Sequence, residues 1–464
     1  MAEAKKEFKI LGTDGKVYDL DEYRYKKGEE DFRVMVEKEA LGKENPGGGE
    51  PEYIKHCRRF GIDWEDMSDS GHMHYGPAGA FIFDLIAAYS KAVVEKLGIP
   101  VYEVKGTPLF RLGEKAIAEH AKLFGDRLYQ FELEDREFVL RYAACFQQFS
   151  IMKNWIISYR NLPYGAFEVA DSWRLEQSGE LLLCFRTRRF YMPDCHVFCR
   201  DIEQAKEWTL KVHDRIYCEN EKLGRNYVSL YNMTSKEFFE KERAFLMKMV
   251  EREKKPVLLC FYPPGKKYYW LLNVEYMIID RMKRPREIGT VQIDVGNAER
   301  FGIMYTDADN SRKYPVILHT AMIGSIERYL FNLFDTALLR KNPMLPMWLS
   351  PAQVRLCPVN DSMISYCEEI AGKMHGVRVD IDDRNEKVQK KVRDAEQDWV
   401  PLIVVVGEKE KESGLLAVRF RESGAVESMR PEDVVKYVKE KTAGYPFREL
   451  PFPVLLTKRP IFHG

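Results

Sequence analysis

The alternation of apolar and polar positions predicts a hairpin, a long helix and a separate C-terminal region. Residues 8–20 are typical of a small hairpin around Asp14-Gly15. Apolar residues recur at helical spacing over residues 76–98, which predicts an amphipathic helix that leads into a short strand region over 101–110. The apolar stripe of this helix consists of Phe81, Leu85, Tyr89, Val93 and Leu97.

From about residue 350 onward, apolar strand-like runs alternate with amphipathic helical runs. This alternation is typical of a small open α/β sheet. The predicted strands are 352–359, 378–381, 401–406 and 415–420, and the predicted helices are 361–376, 386–398 and 431–442.

Residues 171–196 predict a second hairpin whose one face carries charged, aromatic and imidazole side chains. A turn at 177–180 separates its two strands. Burying such charges is costly unless a ligand or partner satisfies them, so the face predicts a ligand with negative charge, a flat ring and an amine or a metal. The alternative is the solvated face of a half-exposed hairpin. The residues concerned are Arg174 and Glu176 on the first strand, and Arg186, Arg188, Phe190, Met192, Asp194 and His196 on the return.

Length, charge and cysteine usage narrow the class of protein. A chain of 464 residues predicts two to three domains. Lys+Arg 72 balances Asp+Glu 72, so any RNA-binding surface must be a local basic patch. Nine cysteines without regular tight spacing favour a reducing cytosol. The N-terminus has no apolar signal-peptide core, and no apolar run approaches a membrane span, so we expect a cytoplasmic protein with no membrane partner.

The order Arg-x-Glu, loop, Arg-x-Arg-x-Phe resembles motif 2 of the class II aminoacyl-tRNA synthetases. The resemblance implies that Arg174 grips the α-phosphate of ATP and that Glu176 accepts from the adenine amino group. It also implies that Phe190 stacks on adenine and that Arg186, with Mg²⁺, helps to neutralise the phosphates. These roles suit the groups, because a guanidinium fits phosphate oxygens and a carboxylate only accepts hydrogen bonds.

Two further segments resemble the other motifs of this class. The helix at 76–98 followed by a strand ending at Pro108 is similar to motif 1, which implies a homodimer formed through that motif. A helix and strand joined by a turn is, however, common in any α+β protein. Residues 313–330 are similar to motif 3, which implies that Arg328, after Gly324, reaches the γ-phosphate while its plane covers adenine.

The resemblance implies a fold of mixed α+β and α/β class. We expect an antiparallel class II sheet flanked by helices, and a C-terminal α/β anticodon-binding domain with a mixed sheet. The expected domains are a short N-terminal extension at 1–60, a catalytic domain at 61–345 and an anticodon-binding domain at 350–464.

Three residues point to one family within the class. Threonyl-tRNA synthetases hold a zinc ion with a cysteine and two histidines at the places of Cys145, His196 and His319. Zinc would take the amino group and hydroxyl of threonine and reject valine, which has no hydroxyl. The spacing alone does not predict a metal, because a lone cysteine or a histidine at a strand end is more often a core residue. Cys195 and Cys199 should point away from His196 as small core residues.

The family resemblance also implies the rest of the threonine and tRNA sites. Asp194 should hold the amino group, while Ser325 and Gln292 line the adenylate and threonine pocket, Gln292 on the ATP side. Either Tyr269 or Trp270 should close that pocket. Met192 stands where many members carry glutamine, so one contact to substrate or ATP differs here. In the C-terminal domain, Glu410 and Arg419 should read anticodon bases, the alternative being solvated charges at a turn between strands.

The resemblance therefore predicts a threonine–tRNA ligase that forms threonyl-adenylate and transfers threonine to the 3′ end of tRNA(Thr). Arg174 and Arg328 would be the main catalytic groups, and no side-chain nucleophile is indicated. Two alternatives are a paralogue that makes an adenylate without charging tRNA, and a non-catalytic tRNA-binding accessory protein.

The segment before the motif 1 helix is too short for the editing domain that this family usually carries. Threonyl enzymes usually carry an N-terminal editing domain, whereas here only about 75 residues precede the motif 1 helix, with His56 the one histidine before Gly71. No His-x-x-x-His pair is present there. We therefore expect an archaeal-type enzyme without cis-editing that depends on a separate trans-editing protein to clear Ser-tRNA(Thr).

Overall fold

The computed structural model describes residues 6–43, 49–122, 124–263 and 268–462. The chain forms two compact units. The first consists of residues 1–49, 68–72 and 90–332, and the second of residues 50–67, 73–89 and 333–464.

The described residues contain the following strands and helices. The strands are β1 Glu7–Leu11, β2 Val17–Tyr18, β3 Ile62–Trp64, β4 Met73–Tyr75, β5 Val101–Glu103, β6 Leu109–Arg111, β7 Gln130–Leu133, β8 Arg136–Leu140, β9 Ile157–Ser158, β10 Tyr164–Trp173, β11 Arg189–Cys199, β12 Val228–Met233, β13 Val257–Phe261, β14 Trp270–Ile279, β15 Pro285–Asp294, β16 Tyr305–Thr306, β17 Arg312–Lys313, β18 Val316–Ala321, β19 Val354–Pro358, β20 Val379–Ile381, β21 Leu402–Val406, β22 Leu416–Phe420 and β23 Val426–Met429. The helices are α1 Glu30–Glu39, α2 Tyr53–Arg59, α3 Pro77–Glu95, α4 Lys115–Ala121, α5 Cys145–Met152, α6 Ile202–Glu221, α7 Lys236–Glu253, α8 Asn297–Phe301, α9 Ile326–Ala337, α10 Ile364–Lys373, α11 Val388–Gln397, α12 Glu408–Ser413 and α13 Pro431–Thr442.

A ten-stranded sheet dominates the first unit, in the order β2-β1-β13-β12-β14-β15-β18-β11-β10-β5. Its central strands, β14, β15, β18, β11 and β10, pair antiparallel. In this register Gln292 lies opposite His319, and His319 lies opposite His196. Directly paired residues share a face, so the three side chains stand in one row. The predicted large antiparallel sheet is confirmed, as is the hairpin of β1 and β2, which turns at Gly15.

The second unit is built on a five-stranded sheet in the order β20-β19-β21-β22-β23. Strands β20, β19 and β21 are parallel, whereas β22 and β23 run antiparallel, so the predicted mixed sheet is confirmed. Apolar residues of β19, β21 and β22 form its core with α10 and α13. The sequence prediction missed β23 and α12, both of which lie in strongly charged or exposed segments.

Helix α3 confirms the predicted amphipathic helix, although it ends earlier, at Glu95. All five residues of its predicted stripe are buried: Phe81, Leu85, Tyr89, Val93 and Leu97. Contrary to the expectation that no apolar run approaches a membrane span, this helix is long and apolar enough to cross a membrane by length and composition alone. Because its stripe is buried within the protein, it satisfies that test in the way that a core helix does.

The predicted hairpin at 171–196 is wrong in its extent. Strand β10 ends at Trp173 and β11 begins at Arg189, so Arg174, Glu176, Arg186 and Arg188 lie in the connection rather than on the strands. The reason is a long-range contact. The Arg188 carbonyl still accepts the Arg174 N–H at 2.9 Å, but the Arg188 N–H donates to the carbonyl of Gly71 at 2.7 Å, and the ladder with β10 goes no further.

The turn from β18 into α9 requires a glycine. Gly324 has a φ of +77°, in the left-handed region, and a Cβ there would lie 2.2 Å from the carbonyl oxygen of Ile288 on β15. The backbone of this turn therefore packs directly against the sheet. This close approach fixes where α9, and with it Arg328, begins.

We expect Gly324→Ala to destabilise the protein by more than the usual left-handed penalty of about 1–2 kcal/mol, because the methyl group meets backbone. Gly302→Ala is the matched control, since Gly302 has a φ of +72° and nothing lies within 4 Å of its Cβ position. Urea unfolding midpoints measure both variants. Equal losses would show that the contact with Ile288 is not tight.

Candidate functional site

A cysteine and two histidines that are distant in sequence meet on the first unit. Cys145 begins α5, His196 lies in β11 and His319 lies in β18. Their ligand atoms, the cysteine Sγ and one nitrogen of each imidazole, all lie within 4.8 Å of one another. His196 Nε2 and His319 Nδ1 are 3.0 Å apart. The sheet register creates this meeting, because the two histidines are directly paired.

The outer nitrogens of both imidazoles have their own acceptors. His196 Nδ1 lies 2.8 Å from Gln148 Oε1, and His319 Nε2 lies 2.6 Å from Asp294 Oδ2. When each neutral ring keeps its proton on the outer nitrogen, where an acceptor lies, the inner nitrogens, His196 Nε2 and His319 Nδ1, both present lone pairs to the same space. Two facing lone pairs do not form a hydrogen bond, whereas a cation between them would be coordinated by both.

Burial makes this pocket unfavourable for charge. It raises the pKa of the Cys145 thiol and lowers the pKa of His196 well below its usual value. It also raises the pKa of Asp194 to about 7. Asp194 Oδ2 lies 3.6 Å from His196 Nε2. A bound cation reverses this effect, because it stabilises a thiolate and a carboxylate while neutral imidazoles coordinate it. The donor set of one sulfur and two nitrogens suits zinc.

A second cluster of functional side chains in the first unit is cationic and contains two arginines, Arg174 and Arg328. The Arg174 guanidinium donates to the Tyr142 carbonyl at 3.1 Å and lies over the Phe190 ring at 5.2 Å. Burial, and then the positive charge of Arg328, lower the pKa of Arg174. Arg328 itself pairs with Glu287 at 2.8 Å. An anion such as a phosphate would relieve the repulsion between the two guanidiniums.

The remaining motif 2 residues are linked by ion pairs. Arg186 Nη1 donates to Glu176 Oε2 at 3.1 Å and lies 3.5 Å from Glu180. The Glu176 side chain is buried, whereas Arg186 is partly exposed. The buried carboxylate of Glu176 therefore pairs with a partly exposed cation. A ligand that displaces Arg186 could use this carboxylate as a hydrogen-bond acceptor.

The pocket residues implied by the family divide into two groups. Gln292 lies opposite His319 in the register, and the ring centroid of Tyr269 is 6.2 Å from that of His319. Trp270 instead packs against Tyr262 and Tyr268, at centroid distances of 5.1 and 5.3 Å. Two other implied residues have clear local environments. Ser325 caps α9 by accepting the Arg328 N–H at 3.1 Å, and Met192 is half-buried on β11.

Sequence reasoning missed three residues here. Gln148 and Asp294 orient the imidazoles by accepting from their outer nitrogens. His120 is buried against Tyr142 and Tyr269, its Nδ1 has no hydrogen-bond partner among the described residues, and burial lowers its pKa to about 4. No local pattern marks any of them, because each role depends on contacts between distant segments.

The structure does not bring the two predicted anticodon residues into contact. Glu410 caps its own helix α12 by accepting the Gly407 N–H at 3.0 Å. Arg419, on β22, lies 3.5 Å from Glu396 of α11. Both side chains belong to the second unit, where each has a local partner.

Comparison with known proteins identifies both regions. The family described as "tRNA synthetase class II core domain (G, H, P, S and T)" matches residues 129–336. The family described as "Anticodon binding domain" matches residues 353–441. A crystal structure titled as the RNA binding domain of threonyl-tRNA synthetase from Cryptosporidium parvum has the same fold, with a TM-score of 0.74 at 21% identity over 85% of this chain and 99% of that one.

Curated relatives are much more similar in sequence. The threonine–tRNA ligase of Thermofilum pendens is 52% identical over 460 residues, which cover 98% of this chain and 75% of that protein. The threonine–tRNA ligase of Staphylothermus marinus is 51% identical over 465 residues, with 99% and 75% covered. At this identity and coverage, the chain belongs to the threonine–tRNA ligase family of class II aminoacyl-tRNA synthetases.

Proposed function

We propose that Cys145, His196 and His319 hold one zinc ion that selects threonine. The observation that carries this proposal is the pair of inner imidazole nitrogens, 3.0 Å apart, whose outer partners are Gln148 and Asp294. Zinc in this place would coordinate the amino group and the hydroxyl of threonine, and would leave a position unfilled with valine. Three protein ligands leave the open coordination positions that such binding needs.

The surrounding side chains complete the proposed threonine pocket. Asp194 holds the amino group, since its carboxylate lies at the edge of the metal triad. Gln292 and Tyr269 close the pocket beside His319, and Ser325 fixes the start of α9 next to it. We propose Tyr269 rather than Trp270 as the closing aromatic, because Trp270 is committed to Tyr262 and Tyr268.

ATP binds along the two arginines in this proposal. Arg174 contacts the α-phosphate and Arg328 the γ-phosphate, with Mg²⁺ and Arg186 neutralising further charge. Phe190 stacks on adenine, and Glu176 accepts from the adenine amino group. Ion pairs now hold Arg328 to Glu287 and Arg186 to Glu176, so ATP exchanges these contacts for phosphate and adenine contacts.

The reaction then proceeds in two steps. A threonine carboxylate oxygen bonds to the α-phosphorus, the bond to the bridging oxygen breaks, and pyrophosphate leaves. Arg174 and Arg328 neutralise the charge that develops. A ribose hydroxyl at the 3′ end of tRNA(Thr) next attacks the threonyl carbonyl, and AMP leaves.

We further propose the domain division 1–60, 61–345 and 350–464, a homodimer formed through α3 and β5, and action in the cytoplasm. Strand β5 lies at an edge of the ten-stranded sheet, where a second subunit has access. All nine cysteines are present as thiols rather than disulfides, which suits a reducing compartment.

Threonine-dependent ATP–pyrophosphate exchange followed by tRNA(Thr) charging tests the function directly. A threonine–tRNA ligase performs both reactions. Exchange without charging would instead support an adenylate-forming paralogue, and failure of both would support an accessory tRNA-binding protein.

We expect the purified protein to hold one zinc ion per chain. Cys145→Ala and His319→Ala should lose zinc and threonine-dependent exchange together, because each removes a ligand. Metal analysis and exchange assays measure this, with Cys195→Ala as the control, since Cys195 is a fully buried core thiol outside the triad. A zinc-free variant with full activity would contradict the proposal.

Gln148→Met should weaken zinc binding by about 10–100-fold, because His196 loses the acceptor that fixes its tautomer and ring. Competition with a chelator measures the affinity. Gln147→Met is the matched control, because Gln147 is similarly buried but donates to Thr107 and Leu109 instead. Equal effects of the two substitutions would mean that Gln148 acts only through packing.

Serine tests the limit of the zinc site. Serine offers the same amino group and hydroxyl, and one missing methyl gives discrimination of only about 10–200-fold. We therefore propose that a separate trans-editing protein clears Ser-tRNA(Thr). Incubated alone with serine, ATP and tRNA(Thr), this chain should accumulate stable Ser-tRNA(Thr) and reject valine. Hydrolysis of that product faster than in buffer would reveal an editing site within the chain.

A further inference from the structure

Helix α2, which precedes the region matched as class II core, is anchored within the second unit by two contacts. Arg59 Nη2 donates to Asp398 Oδ1 at 2.7 Å, and the His56 ring lies 4.8 Å from the ring of Trp399. Asp398, which caps the C-terminus of α11, also accepts from Arg355 at 2.6 Å. A carboxylate shared by two guanidiniums holds α2 firmly beside α11.

The two helices border a cleft of about 550 Å³ that also reaches β22. Five cationic side chains line it: Lys55, Arg59, Arg393, Arg419 and Arg421. Among the described residues, two carboxylates line it, Glu52 and Glu396. The chain as a whole carries no net charge, so this local excess of positive charge favours an anionic ligand.

Much of this positive charge is available to a ligand. Arg393 is exposed and has no acidic partner within the described part of the chain. The Lys55 side chain is 61% exposed, and its pairing with Glu52 is a surface contact that contributes little. Arg419 is about half exposed, and its 3.5 Å contact with Glu396 is long for an ion pair. Two of the five are committed to structure: Arg59 pairs with Asp398, and the Arg421 Nε donates to the Pro343 carbonyl at 2.7 Å.

We propose that this cleft binds the tRNA next to the bases that Arg419 reads, so that α2 completes the tRNA-binding surface of the second unit. Lys55 and Arg393 contact phosphates of the single-stranded anticodon loop of the tRNA. The ring of His56 offers a stacking face for an unstacked base of that loop. Burial lowers the pKa of His56, so its ring is neutral at pH 7. The inference rests on the proposed threonine–tRNA ligase function and on the prediction from the sequence that Arg419 reads anticodon bases.

The ligand class follows from the chemistry of the cleft. Exposed guanidiniums and a lysine beside an aromatic ring match a sugar–phosphate chain with splayed bases. The family match for anticodon binding covers residues 353–441, so Lys55 and His56 lie outside it. Lys55 and His56 line the cleft because α2 packs within the second unit.

Charging kinetics with tRNA(Thr) at several salt concentrations test the proposal. Lys55→Ala and Arg393→Ala should each raise the KM for tRNA severalfold and lower the slope of log KM against log salt by about 1. The double variant should lower the slope by about 2, with threonine-dependent pyrophosphate exchange unchanged. Lys436→Ala, an exposed lysine of α13 that does not line the cleft, is the matched control.

Glu396→Gln should change the KM for tRNA in the opposite direction. It removes a negative charge from the cleft and should lower the KM for tRNA, an outcome that misfolding does not produce. A double variant Lys55→Ala/Arg393→Ala with wild-type KM and salt slope overturns the cleft. If Arg419→Ala still impairs charging in that case, only the cleft has failed. If Arg419→Ala is also without effect, the anticodon-reading proposal has failed as well.

Discussion

His196 and His319 stand opposite each other on paired strands, and their inner nitrogens are only 3.0 Å apart. Each outer nitrogen faces an acceptor, so two neutral rings hold their protons there and neither donates to the other. Two lone pairs at this distance in a buried pocket repel each other, and a bound cation removes that repulsion. Three features of the fold place the donor atoms around this space: the register of the sheet, the position of α5, and the orientation of Gln148 and Asp294.

The same point explains how charge is distributed around the site. Burial, with a smaller contribution from the charge of Glu168, raises the pKa of Asp194 to about 7, so this carboxyl is only about half ionised at neutral pH. A metal together with the ammonium group of the substrate favours its charged form. On the phosphate side, Arg174 and Arg328 repel each other until an anion binds. A positively charged substrate group therefore stabilises the ionised form of Asp194, and a negatively charged phosphate stabilises the pair of arginines.

The sequence was sufficient for the order of the motifs and for much of the C-terminal unit. Helix α13 has the predicted bounds, because its apolar spacing and its first proline are local signals. The connection after Trp173 was mispredicted because its partner, Gly71, is distant in sequence. The choice between Tyr269 and Trp270 depends on a register shift between Trp270 and Leu272, and such a slip reverses which face a side chain occupies. The roles of Gln148 and Asp294 need the packed fold.

X-ray absorption at the zinc edge tests the proposed coordination by Cys145, His196 and His319 directly, because it reports the atoms bound to the metal. We expect one sulfur at about 2.3 Å and two imidazole nitrogens at about 2.0–2.1 Å. Adding threonine should bring one further nitrogen and one further oxygen into the shell, and adding valine should bring no further oxygen. A shell with two or more sulfurs, or one that threonine leaves unchanged, would contradict a threonine-selecting metal held by Cys145, His196 and His319.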